Sequence, residues 1–219
     1  MRRGPSLTTA QHCILEQLAR VQYATRPQLA YWCGVTVQAI STSAQGLFEQ
    51  SLIDGSLFSR PMIWGLTHAG GKVLDISMPS GGRASSWSVM AHACHLNAIE
   101  ITFAKQHPGF RIVSRKALLK RGLNPAFGEH AAVDASGNTW FVLLDDYMMP
   151  SYRIARSWMR RHTPNLKYWP DHTGRAWSEV AHLFLVVSTD TRQAERHITW
   201  IEKKGIPAHV SSIQALWKI

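Results

Sequence analysis

The chain has 219 residues, with 24 Lys and Arg against 14 Asp and Glu, a formal net charge of +10 with His neutral. Its 45% hydrophobic content is enough to bury a core and argues against a disordered chain, while the basic excess points to a polyanionic partner, nucleic acid before a membrane surface. No apolar run approaches the roughly 20 residues of a membrane span, and the opening "MRRGPSLTTAQHC" has charge but no apolar stretch behind it as a signal peptide would, so a cytoplasmic protein with no membrane partner is expected.

Taken in chain order, "SLTTAQHCILEQLARVQYA" predicts a first helix. Thr8 or Thr9 can cap it, and Ile14, Leu15 and Leu18 form its apolar stripe. "TRPQLAYWCG" predicts a short second helix with Thr25 as cap, Pro27 in the first turn and Gly34 as the stop. "VTVQAISTSAQGLFEQSLI" predicts a third. Val37, Ile40, Ala44, Leu47 and Phe48 fall on its inner face, and Gln38, Ser41, Thr42 and Gln45 mainly on the outer one. That outer face is short, polar and uncharged, and its amides and hydroxyls can meet base edges without placing a carboxylate near phosphates. Two helices across a glycine turn, the second polar outside, are the grammar of a helix-turn-helix. "LIDGSLFSRPMIWGLTHAGGKVL" then reads as strand, loop, strand, helix. Asp54-Gly55 and Arg60-Pro61 are turn signals, and Met62, Trp64 and Leu66 alternate. This is a wing, with Arg60 near its tip.

"DISMPSGGRASSWS" is rich in Gly, Ser and Pro and reads as a boundary near Gly81. The expected layout is a winged-helix domain over 1–78, a linker over 79–88 and a second domain over 89–219. In the second domain, "SVMAHACHLNAIEITFAKQHPGF" predicts a helix, and "FRIVSRKALLKRG" a strand followed by a basic cluster of Arg115, Lys116, Lys120 and Arg121. "FGEHAAVDASGNTWFVLLDDY" predicts a hairpin with Asp134 in its turn. "PSYRIARSWMRRHTP" predicts a helix carrying Arg153, Arg156, Arg160 and Arg161. "VAHLFLVVST" reads as a buried strand. "TRQAERHITWIEKKG" reads as a helix with Ala194, Ile198 and Ile201 inward, and "IPAHVSSIQAL" starts with a short strand. The order α-β-β-β-α-β-α-β implies a mixed sheet with helices, an α+β chain overall. It is also the order of restriction-endonuclease-like folds.

Cys13, Cys33 and Cys94 form no CxxC pair, which argues against a zinc ribbon and favours buried thiols in a reducing compartment. His92 and His95 lie three apart on a helix but have no carboxylate between them, so packing outweighs metal binding. Tyr147 and Tyr152 would need a three-histidine metal cluster to act as relaxase nucleophiles, and no H-x-H pattern is present. Trp158, Trp169 and Trp177 lie among basic residues, where core packing outweighs stacking on unpaired bases.

"GLTHAGGKVL", "HLNAIEI", the acid-bearing hairpin and "HLFLVVSTDTRQAERHI" together resemble the replication-relaxation family of plasmids and conjugative elements, over nearly the whole chain. The resemblance implies a winged helix joined to a restriction-endonuclease-like domain. Some relatives look like metal-dependent relaxases, others like DNA-binding accessories of mobilisation or replication. Aligned on the hairpin turn, His130 stands where the family implies an aspartate and Leu143 where it implies a glutamate. Tyr147 stands where a lysine would follow Asp145.

A DNA-binding accessory at an origin of transfer or replication is therefore expected, with no catalytic residue, metal or cofactor. Its partners would be double-stranded DNA, locally single-stranded in places, and a relaxase or other transfer protein. The alternative is a nickase with a displaced site built from Glu100, Glu129, His130, Asp145 and Asp146, holding Mg²⁺ or Mn²⁺. A third reading is a winged-helix transcriptional regulator.

Overall fold

The computed structural model describes residues 6–55, 61–76, 86–114, 117–118, 129–146, 148–161 and 183–216. The chain divides into two compact units, Met1–Asn97 and Ala98–Lys218.

The first unit runs α1 (Thr9–Val21), β1 (Tyr23–Thr25), α2 (Arg26–Cys33), α3 (Val37–Glu49), β2 (Ile53–Gly55), β3 (Ile63–Leu66) and α4 (His68–Val73). Its strands form an antiparallel sheet in the order β1-β3-β2. Helix, strand, helix, helix and a two-stranded wing make a winged helix-turn-helix. Local chemistry explains the boundaries. Thr8 and Gln11 close a capping box at the start of α1. The same box recurs at Thr25 and Gln28, with Pro27 in the first turn of α2. Gly34, at φ +64, takes the left-handed position that ends α2. The side chain of Thr36 accepts from Ala39 to start α3. Ile14, Leu15, Leu18, Leu29, Ile40, Ala44 and Leu47 fill the core between these helices.

Four expectations change in this unit. The first helix stops at Val21, where Gln22 turns to φ +68, and Tyr23–Thr25 pairs with β3 instead of continuing the helix. Asp54 and Gly55 lie inside β2, paired to Gly65 and Trp64, and are not the turn. Val37 is 45% exposed, although its spacing from Ile40 had placed it inward; periodicity says which residues align, not how far the core extends along the helix. Cys13 and Cys33 are joined as a disulfide between α1 and α2, with Cα atoms 5.9 Å apart, which leaves Cys94 as the buried thiol.

The division between the units falls within α5 (Trp87–Ala104). Its first part belongs to the winged-helix unit. There the Gln28 side-chain amide donates to the Cys94 carbonyl at 2.7 Å, and the Asn97 amide donates to the Tyr23 carbonyl at 2.7 Å. Residues 79–85 of the expected linker lie outside the described residues.

The second unit continues with β4 (Arg111–Val113), β5 (Glu129–Val133), β6 (Thr139–Asp145), α6 (Tyr152–Arg161), β7 (Leu183–Ser188), α7 (Thr191–Lys204) and β8 (His209–Ser212). The sheet order is β4-β5-β6-β7-β8, antiparallel from β4 to β6 and parallel from β6 to β8. This is the expected mixed sheet. Ala131, Phe141, Leu143, Phe184 and Val186 meet Ile154 of α6 and Ile201 of α7 on one face. On the other, Trp140 packs edge-on against His107 and Phe110, with ring centroids 4.7 and 5.6 Å away. One inward assignment on α7 is corrected: Ile198 is 38% exposed, and His197, fully buried, holds the neighbouring inward position.

Candidate nucleic-acid interface

The outer face of α3 is set by the turn before it, in which Gly34 ends α2 and Thr36 caps α3. Gln38, Thr42 and Gln45 are exposed, and Ser41 is half-buried, as the helical phase requires. Their hydrogen bonds were not legible from spacing. The Ser41 hydroxyl donates to the Val37 carbonyl at 3.0 Å, and the Thr42 hydroxyl donates to the Gln38 carbonyl at 3.3 Å. Gln45 donates its amide to Glu49 at 3.0 Å, so the acid of this helix sits at the C-terminal end and is engaged. No acidic residue lies in the first turn. The wing tip, with Arg60, lies outside the described residues.

Basic charge is concentrated in the second unit. From residue 98 onward the chain carries 17 of the 24 Lys and Arg, against 10 of the 14 Asp and Glu. On α6, Arg153 and Arg156 are exposed while Ile154 and Ser157 face inward. Tyr152 and Met159 are exposed on the same helix, 59% and 55%. The side chains of Arg160 and Arg161, together with Arg115, Lys116, Lys120 and Arg121, lie outside the described residues, as do Trp169 and Trp177.

The alternative metal site can be tested on the strands themselves. Side chains alternate across a sheet, and directly paired residues share a face. His130 pairs with Val142 and Glu129 with Leu143. His130 therefore lies on the Val142 and Trp140 face, whereas Asp145 lies on the Leu143 face, toward α6 and α7. Asp145 is 1% exposed. Its Oδ2 meets Nε2 of His197 at 2.8 Å, and its Oδ1 accepts the Met149 backbone N–H. Ser188 donates to Oδ2 at 3.5 Å. The other ring nitrogen of His197 meets the Ser151 hydroxyl at 3.0 Å. The Gln193 amide donates to the Met149 carbonyl at 2.7 Å, beside Met148 at φ +55. This network holds the turn between β6 and α6 against α7.

Glu100 is also committed elsewhere. It is 6% exposed, and its carboxylate accepts the backbone N–H of Ile112 at 3.0 Å, satisfying a donor on edge strand β4. Asp146 is 8% exposed. The side chain of Glu129 lies outside the described residues. Among the described residues no group of three or more His, Cys, Asp and Glu is placed to hold a metal ion. Asp145 and His130 lie on opposite faces of the sheet, and Asp145 is already engaged by Met149 and His197, so the two do not form one divalent-cation site.

Asp134 follows the turn chemistry expected of it. It accepts from the Asn138 backbone at 3.0 Å, the Asn138 amide at 2.9 Å and the Trp140 indole at 3.2 Å. Those bonds, the Asn138 side chain foremost, hold its carboxyl below the usual carboxylate range. His95 is fully buried on α5, in keeping with a packing position.

A winged helix-turn-helix followed by a mixed-sheet unit is the class this architecture defines. No protein-family model matches the chain, and no curated protein matches it. Among solved structures it is similar to a zinc-responsive MarR family member, ZitR of Lactococcus lactis, at 26% identity and TM-score 0.30, covering 34% of this chain and 53% of that one. It is likewise similar to a cysteine-to-serine mutant of ZitR in complex with DNA, at 28% identity and TM-score 0.28, covering 31% and 47%. The chain spans about half the length of these structures, and a likeness of this extent assigns neither family nor activity.

Proposed function

We propose that the protein binds duplex DNA, reading a groove with α3 and holding backbone with the basic second unit. One observation carries this reading: a helix-turn-helix whose second helix presents an exposed face free of acids in its first turn, in a chain of net charge +10. Phosphate contacts by Lys and Arg release counterions, so the binding constant should fall steeply with salt. Fluorescence anisotropy of a labelled duplex across a salt series is the test. Absence of binding even at low salt overturns the reading.

The role proposed for that binding is accessory, in assembling a complex at an origin of transfer or replication, next to a relaxase or other transfer protein. It rests on the resemblance to the replication-relaxation family, with the second unit as a restriction-endonuclease-like scaffold. The engaged carboxylates of Asp145 and Glu100 favour this over the nickase. Incubating supercoiled origin plasmid with Mg²⁺ or Mn²⁺ discriminates them: no nicking is expected, and nicking lost in Asp145→Ala would reverse the choice. A transcriptional regulator is the other occupant of the same fold, and a relaxase gene beside this one would favour the accessory role.

A further inference from the structure

Val37 is the residue of α3 that spacing placed in the core and the structure places outside, 45% exposed at the first position of the helix. Part of its isopropyl group is in water and open to apolar contact with a partner, which would remove that area from solvent. In a helix-turn-helix, the N-terminal residues of the second helix meet base edges. Around Val37, the polar groups are spoken for in a particular way. The hydroxyl protons of Ser41 and Thr42 go to the carbonyls of Val37 and Gln38, and the Gln45 amide goes to Glu49. What remains to meet a base pair on the leading turn of α3 is an apolar side chain, Val37, beside the exposed amide of Gln38.

Each has one matching partner in the major groove. A glutamine amide pairs bidentately with adenine N6 and N7, and an apolar side chain packs on the C5-methyl of thymine. A guanine-reading arginine or lysine is missing from α3 altogether, since Val37–Glu49 contains neither. The carboxylate that characteristically selects cytosine N4 is missing from the leading end of α3, since Glu49, the one acid of the helix, lies at its far end. We infer that the start of α3 reads A·T base pairs, with Val37 on the thymine methyl and Gln38 on the adenine edge. The covering partner is a duplex major groove and not a protein face, because Val37 lies beside the exposed Gln38 amide on a helix with no acid in its first turn, in a chain of net charge +10. This rests on the DNA-binding reading and specifies what that binding recognises.

The thymine methyl can be removed without touching base pairing. The full chain is titrated, at one salt concentration, against alternating poly(dA-dT) and against alternating poly(dA-dU), and against duplexes that the protein itself selects from a random pool. Loss of the methyl should weaken binding about fourfold for each contact made, the factor corresponding to one buried methyl or methylene group. Val37→Ser, a polar replacement at an exposed site that leaves folding intact, should bind the two polymers alike. Gln38→Ala should relax the A·T bias of the selected duplexes. Equal binding of the thymine and uracil polymers by the unaltered chain, or selected duplexes poor in A·T, overturns the inference while leaving DNA binding in place. No binding to any duplex at low salt removes the DNA-binding reading itself, and this one with it.

Discussion

Asp145 is held by Met149 four residues on and by His197 fifty-two residues on. Nothing in "LLDDY" announces the second partner. The hairpin concentrates acids, and acids in a hairpin suggest metal chemistry; it is the buried imidazole arriving from α7 that gives Asp145 a structural task. Removing His197 takes one hydrogen-bond partner from a buried carboxyl group, which costs about 1–3 kcal/mol. His197→Ala should therefore lower stability by that order in urea denaturation, while DNA affinity measured well below the unfolding midpoint stays unchanged. Two cysteine outcomes belong to this scale as well. Burial pushes the Cys94 thiol up to about 12, from an ordinary 9.0. The folded state thus keeps the neutral thiol: its contribution is complete below pH 9 and is lost as pH rises from 9 toward 12. Cys94 should resist iodoacetamide at pH 8 until the chain is unfolded. The Cys13–Cys33 link closes a 20-residue separation, for which chain entropy alone gives about 3 kcal/mol. Cys13→Ser should melt earlier than the unaltered chain in oxidising buffer and no differently under a strong thiol reductant.

Among the elements, α4 shows what local chemistry can specify by itself. Thr67 caps it, accepting from the Gly70 N–H at 3.1 Å, and its one hydroxyl proton lies between the carbonyls of Ser51 and Leu52, 2.8 and 2.9 Å away. A Cβ on Gly70 would strike the Leu52 carbonyl oxygen and the Leu66 side chain. Gly70 of "LTHAGGKVL" thus marks a close approach of the helix to its neighbours, visible in the sequence as a motif and understood only with the neighbour in place. Gly70→Ala should cost about 1–3 kcal/mol in chemical denaturation, the usual range for forcing atoms into a packed site. On α6, Ile154 and Ser157 turn in, and Arg153 and Arg156 turn out. If both arginines touch phosphate, replacing them by Ala should lessen the slope of log binding constant against log salt by about 2, at roughly 0.9 per contact. An unchanged slope would remove α6 from the interface.

At the scale of the whole molecule, the proposed DNA binding would divide charge from groove reading along the chain. The winged-helix unit carries α3, whose sequence holds no Lys or Arg and a single acid, and the unit after residue 97 carries most of the excess Lys and Arg. Such a division predicts that specificity follows substitutions in α3 and that salt sensitivity follows substitutions beyond residue 97, each with little effect on the other.

Element order was readable from one sequence because caps, glycine stops and apolar period are local properties. Every helix and strand of the second unit named from "SVMAHACHLNAIE" onward is present among the described residues in the expected order. The three-residue β1 was not readable, because a strand so short has no period of its own and exists only through its pairing with β3. The same limit governs the site. Sequence determined which residues of α3 share a face. Tertiary structure decided that Val37 joins them outside the core, that the Ser41 and Thr42 hydroxyls donate within the helix and Gln45 donates to Glu49, and that Asp145 and His130 lie on opposite faces of one sheet. Periodicity is set by the backbone and can be counted along the chain. Burial, register and hydrogen-bond partners are set by what the rest of the chain brings alongside.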